Sequence, residues 1–148
     1  MTRYSRQREA ILEYLRSTKS HPTAITVYNE VRKKYPNISL ATVYRNLGML
    51  AENNTIMRLD CGHGSEHYDA TTDNHYHFCC NDCGAVSDLD IPVITDWSVL
   101  SDYGFHGTVE SHFVMFFGLC EQCKNKVSHE SRNSRSVSET GKKNEQRR

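Results

Sequence analysis

Two Cys-x-x-Cys pairs, Cys80-Asn81-Asp82-Cys83 and Cys120-Glu121-Gln122-Cys123, are separated by 36 residues. Each pair suits a tight turn that aims both sulfurs at one point, and four thiolates make the closed tetrahedral set of structural Zn(II). Gly84, directly after Cys83, suits a turn in which backbone N–H groups approach sulfur closely. Redox-active dithiols are the other chemistry this spacing allows. Just upstream, His75-Tyr76-His77 places two imidazoles at i and i+2, on one face if the segment is a strand. A lone histidine is usually structural, but two on one face beside Asp69 and Asp88 form a hard N/O set. Such a set suits Fe(II), Mn(II) or Zn(II), and by the divalent affinity order it holds the first two weakly, as exchange with a cellular pool requires. Strand alternation should turn Cys79 to the face opposite Cys80, and Cys61 reads as a free thiol.

The 148-residue chain is formally neutral, yet its charge is segregated. Residues 1–58 hold ten Lys/Arg against four acids, residues 59–125 hold eleven acids against Lys124, and the remainder is basic again. The pattern points to a basic module for a polyanion and an acidic module for cations, rather than chance clustering on solvated faces. The expected units are 1–68, 69–127 and a tail at 128–148 too polar to bury a core. No apolar run approaches the roughly 18 residues of a membrane span, and no signal peptide opens the chain. The expectation is a cytoplasmic protein with no membrane partner, whose reducing surroundings favour metal or redox chemistry over structural disulfides.

The elements that must position these groups follow from caps and periodicity. Ser5 could cap a helix to about Ser17 with Ile11, Leu12 and Leu15 inside. Thr23 could cap a second, with Ala24, Tyr28, Val31 and Tyr35 on one face and Pro36 closing it. Ser39 could cap a third, whose seam of Leu40, Val43, Leu47 and Leu50 leaves Ala41, Thr42, Arg45, Met49 and Glu52 outward and Tyr44 on the flank. Ala41, Thr42, Tyr44 and Arg45 suit a helix entering the major groove of double-stranded DNA. A hairpin over 55–70 would complete a winged helix-turn-helix; the alternative is a helical bundle with a solvated third helix. Beyond it, strands near 75–80, 85–88 and 107–118, with a helix from Pro92 to about Tyr103 burying Ile94, Trp97, Val99 and Leu100, predict an α+β fold. Its small α/β second domain, built on a three-stranded sheet, is too small to cover both faces and should form a homodimer.

His21-Pro22-Thr23-Ala24, Ser39 to Leu47, His75 to Phe78 with Cys80 to Gly84, and the final Cys-x-x-Cys occur in one order. Together, across residues 3–125, they resemble the ferric uptake regulator (Fur) superfamily of bacterial repressors. The resemblance implies a regulatory metal site of His21, Asp69, His75, His77 and Asp88, holding Fe(II) or Mn(II), beside the structural Zn(II) of Cys80, Cys83, Cys120 and Cys123. Aspartate at 88 is similar to the peroxide-regulator branch, which implies oxidation of His21 and His75 to 2-oxo-histidine. Asn74, Tyr76 and Thr95 replace the ligands of a further site found in iron sensors, leaving His112, whereas Arg45 resembles the iron-sensor type. The expected partners are palindromic operator DNA and a second copy of the chain, with no substrate beyond metal ions and peroxide. Alternatives are iron, manganese or zinc sensing by the same architecture, a thiol switch using the Cys-x-x-Cys pairs, and a metalloenzyme. The last leaves the basic module unexplained and shows no separate general base.

Overall fold

The computed structural model describes residues 3–62 and 64–126, so the expected tail at 128–148 lies outside the described residues. Three helices come first: α1 (Arg3–Ser17), α2 (Ala24–Lys34) and α3 (Leu40–Glu52). Thr23 and Ser39 cap α2 and α3 through side-chain oxygens that accept the N–H of Thr26 and Thr42. Ser5 lies inside α1 rather than at its cap, because the helix begins two residues earlier. The three helices share one core in which Ile11, Val27, Val43 and Leu47 are fully buried. On α2 the innermost positions are Ala24, Val27 and Val31, with Tyr28 and Tyr35 at the margin of the core.

A hairpin follows, β1 (Met57–Asp60) against β2 (Glu66–Asp69), with Asp60 opposite Glu66 and Met57 opposite Asp69. It is tied back to the helices where the Tyr68 N–H donates to the Pro22 carbonyl and Thr23 bridges His67. The second sheet comprises β3 (Tyr76–Cys80), β4 (Val86–Leu89) and β5 (Met115–Gly118), in the order β4-β3-β5. Strand β3 is antiparallel to β4 and parallel to β5, so it is central. The architecture is α+β, as expected.

Two expected elements differ. The segment from Pro92 is irregular up to a single 3-10 helix at Ser98–Tyr103, ended by Gly104 at φ 82°. Asp96 spends its carboxylate on the Ser98 N–H, a local turn that competes with helix, and β-branched Ile94, Thr95 and Val99 add little helical preference. Ile94 and Val99 are therefore about half exposed rather than buried, and Trp97 and Leu100 are partly covered. The expected strand at 107–118 shrinks to Met115–Gly118 because among the described residues its partner is β3, which begins at Tyr76.

Candidate metal centres

His21, Asp69, His75, His77 and Asp88 converge from five places in the chain, and one ligand atom from each lies within 4.8 Å of all the others. His77 stands opposite Asp88 in the β3–β4 register, which puts both side chains on one face. His75 sits just before β3 on the same parity, and Asp69 ends β2. His21 reaches them from the α1–α2 connection in the left-handed region, φ 47°, a conformation that L-residues adopt only where the surroundings impose it. Those surroundings include His67, whose Nδ1–H donates to the His21 carbonyl at 2.6 Å. His67 was not picked out from sequence, since its role depends on the hairpin folding against the His21–Thr23 strap.

Apart from His77 Nε2, within hydrogen-bond reach of Asp69 Oδ2 at 3.4 Å, the imidazoles and carboxylates converge as ligands around a common point would. The Nε2 atoms of His21 and His75 lie 2.8 and 3.2 Å from Asp88 Oδ1, and those of His75 and His77 lie 3.0 and 3.4 Å from Asp69 Oδ2. Neighbouring ligands of an ion bound at about 2.1 Å stand about 3 Å apart. Nε2 of His21 and of His75 are buried without a hydrogen bond despite those near oxygens. Nδ1–H of His75 donates to the Asp73 carbonyl at 2.7 Å, which orients the ring with Nε2 toward Asp69 and Asp88. A divalent cation would satisfy those orphaned nitrogens, so the donor set fits the group the sequence implies. Burial opposes charge on His21, but the carboxylates of Asp69 and Asp88 overcome it and raise its pKa. Burial likewise works against ionised Asp69; His21, His77 and the Thr71 N–H outweigh it and hold the carboxyl far below its usual range. His112 stands apart, against Asn74, Tyr76 and Trp97.

The four cysteines form a second cluster, again with ligand atoms within 4.8 Å. Cys80 ends β3 and Cys83 follows in the turn, where Gly84 at φ 70° returns its N–H to the Cys80 carbonyl. Parallel pairing of Cys80 with Gly118 brings Cys120 and Cys123 alongside. Cys83 and Cys120 sulfurs are 3.9 Å apart, close to the roughly 3.8 Å edge of a tetrahedron with 2.3 Å Zn–S bonds. The Cys120 N–H donates to Cys80 Sγ at 3.3 Å, and with the amides of Cys83 and Asp82 it draws that thiol down to about 6. Cys123 is pushed up, first by Asp82 and then by Cys120. Cys61, expected to be a free thiol, is instead disulfide-bonded to Cys79, which does face away from Cys80.

On α3, Ala41, Tyr44 and Arg45 are exposed, while Thr42 is half-buried with its hydroxyl against that of Ser39 at 2.9 Å. Asn46, passed over in the sequence, is buried beneath them. Its amide donates to the Thr42 carbonyl at 2.8 Å, and its oxygen accepts from Arg8 Nε at 3.3 Å.

Residues 1–116 match the family model described as FUR, ferric uptake regulator family. The chain is 36% identical over 127 residues to the peroxide operon regulator of Bacillus subtilis (strain 168), covering 86% of this chain and 88% of that protein. It is 37% identical over 122 residues to the peroxide-responsive repressor PerR of Staphylococcus epidermidis, covering 82% and 81%. Among solved structures, the Campylobacter jejuni peroxide stress regulator superposes with a TM-score of 0.64 at 29% identity, over 81% of this chain and 90% of that one.

Proposed function

The chain belongs to the ferric uptake regulator family of metal-responsive transcription regulators, and on that premise we propose that it is a peroxide-released repressor. It binds palindromic operator DNA as a dimer through Ala41, Thr42, Tyr44 and Arg45, with Zn(II) at Cys80, Cys83, Cys120 and Cys123. The regulatory ion, Fe(II) or Mn(II), is held by His21, Asp69, His75, His77 and Asp88. The observation that carries this reading is the origin of His21. It belongs to the helical module, whereas His75, His77 and Asp88 belong to the second sheet, so one ion would fix the angle between the modules. In a dimer that angle sets the spacing of the two α3 helices against the two half-sites. A 10²–10⁴-fold gain in operator affinity asks for roughly 3–5.5 kcal/mol of preference for the closed form, within reach of several ligand bonds made only there.

Fe(II) would supply the electrons that cleave the O–O bond of peroxide; Mn(II) would not at ordinary potentials. His21 and His75 are the imidazoles that resemblance to the peroxide branch exposes to that chemistry. Either one, carrying an added oxygen on its ring, becomes a poor ligand, and the basic module is released. Aspartate at 88 and the peroxide regulators among the relatives support this over plain iron sensing, which only Arg45 favours. The test is operator binding by gel shift with Fe(II), Mn(II) or Zn(II), each with and without micromolar peroxide, and peptide mass spectrometry alongside. Loss confined to the iron sample, with one oxygen gained on a peptide holding His21 or His75, is the expected result. Equal behaviour of all three metals returns the protein to metal sensing.

A further inference from the structure

Strand β3 carries chemistry on both faces, and Cys79 belongs to neither metal cluster. His77 must face the helical module to meet His21, so strand alternation turns Cys79, two residues on, the same way. The hairpin answers with an i, i+2 pair of its own, Leu59 at the end of β1 and Cys61 in the turn. Leu59, Cys61, Cys79 and Val86 form an apolar junction distinct from the helical core, edged by Met57 and Met115. Within it Cys61, in the β1–β2 turn, and Cys79, in β3, are bonded across a Cα separation of 6.2 Å, 18 residues apart in sequence.

We propose that Cys61 and Cys79 are a reversible redox lock between the two modules, closed by oxidation and independent of the metal that His21 helps to hold. Cys61 is the attacking sulfur, because, though only 5% exposed, it lines a cavity of about 340 Å³ with Thr23, Ser65, His67 and Cys83, whereas Cys79 has no exposure at all. Its thiolate takes the terminal oxygen of hydrogen peroxide, releasing hydroxide and leaving a sulfenic acid. The Cys79 thiol then displaces that oxygen as water and forms the S–S bond. Two thiols and one peroxide thus become one disulfide and two waters, the two electrons lost by sulfur having reduced the O–O bond. A thiol reductant reverses the step by exchange.

The placement sets the sign of the effect. Asp69, the hairpin's metal ligand, is at the end of β2, and Cys61 is at the turn, so the ion and the disulfide grip opposite ends of one hairpin. One attachment leaves the modules free to pivot about it; the disulfide restrains the 70–74 connection between β2 and β3 even when the ion is gone. Oxidation here therefore holds the chain closed, opposing release through histidine oxidation.

This inference rests on the two-module reading above, and its test uses no DNA. Zinc-loaded full-length protein, free of the regulatory ion, is treated with equimolar hydrogen peroxide, alkylated and mapped by mass spectrometry. Cleavage of the 70–74 segment by added protease is timed in parallel. The expected result is a Cys61–Cys79 linked peptide with zinc retained, and cleavage about tenfold slower than in the reduced protein. Cys61→Ser should cleave at the reduced rate under both conditions. Alkylation of both Cys61 and Cys79 after oxidation, a disulfide within a Cys-x-x-Cys pair with zinc lost, or an unchanged cleavage rate despite the link would each overturn the proposal. Should the link form and slow cleavage while no metal form binds operator, the repressor reading fails and the lock stands.

Discussion

In the proposed reading His21 is the residue on which metal binding and module geometry meet, and it sits at φ 47°. His21→Ala should weaken Mn(II) binding by about 10–100-fold or more, measured by calorimetry, and abolish the metal-dependent part of operator affinity. Thermal unfolding of the metal-free helical module should hardly change, because that core is made by other residues. Asp69 is buried among three imidazoles, so Asp69→Asn should lower Mn(II) affinity at least as far as the loss of His21. The site was legible in the sequence where its logic is local. Two histidines at i, i+2 and the Cys-x-x-Cys pairs show themselves through strand parity and turn geometry. His21 came from resemblance, since nothing in its own neighbourhood announces a ligand. His67 and Asn46 stayed hidden because their partners, the His21 carbonyl and Arg8, are 46 and 38 residues away. The Cys61–Cys79 bond was missed because an expectation from compartment outweighed a pairing that only tertiary structure reveals.

At the scale of elements, α3 is specified by its cap and by the buried amide beneath its outer face. Ser39→Ala removes the side-chain acceptor of the Thr42 N–H, leaving only the Ser39 carbonyl, and should cost about 1 kcal/mol in urea unfolding of the helical module. Asn46→Ala leaves Arg8 without its acceptor and should cost about 1–2 kcal/mol, with weaker operator binding if Arg8 then samples other rotamers. The helices were readable because cap residues and a 3.6-residue apolar period coincide at Thr23 and Ser39. The 90–114 connection was not, because its apolar residues fit a helical template while Asp96 and the β-branched residues among them favour turns. Apolar content there marked surface still to be covered rather than helix.

For the whole molecule, the distribution of apolar surface is the clearest signal. The helical module encloses its core, whereas Phe113, Phe116, Phe117 and Leu119 of the second module are each between 44% and 55% exposed. Half-exposed apolar side chains grouped on and beside β5 suit burial against a partner, and the family's regulators are dimeric. Phe117→Glu should convert the dimer to monomer by light scattering and with it remove operator binding, while zinc stays at one ion per chain. Cys83→Ser should do the reverse at the outset, losing zinc and then the dimer, because the four thiolates join the β3–β4 turn to the segment after β5. Among the described residues no helix is long and apolar enough to cross a membrane.

Strand β3 imposes a constraint of its own on how this chain can diverge. Its odd positions, His77 and Cys79 with His75 just ahead of it, face the hairpin and helices, and its even positions, Tyr76, Phe78 and Cys80, face the 90–114 connection, β5 and the cysteine cluster. Removing or adding a single residue inside it would flip every position on one side of the change, so that the imidazoles and the thiols could no longer both face their own clusters. The length of those few residues is therefore frozen, and change in size is confined to the connections around them, the 90–114 stretch above all.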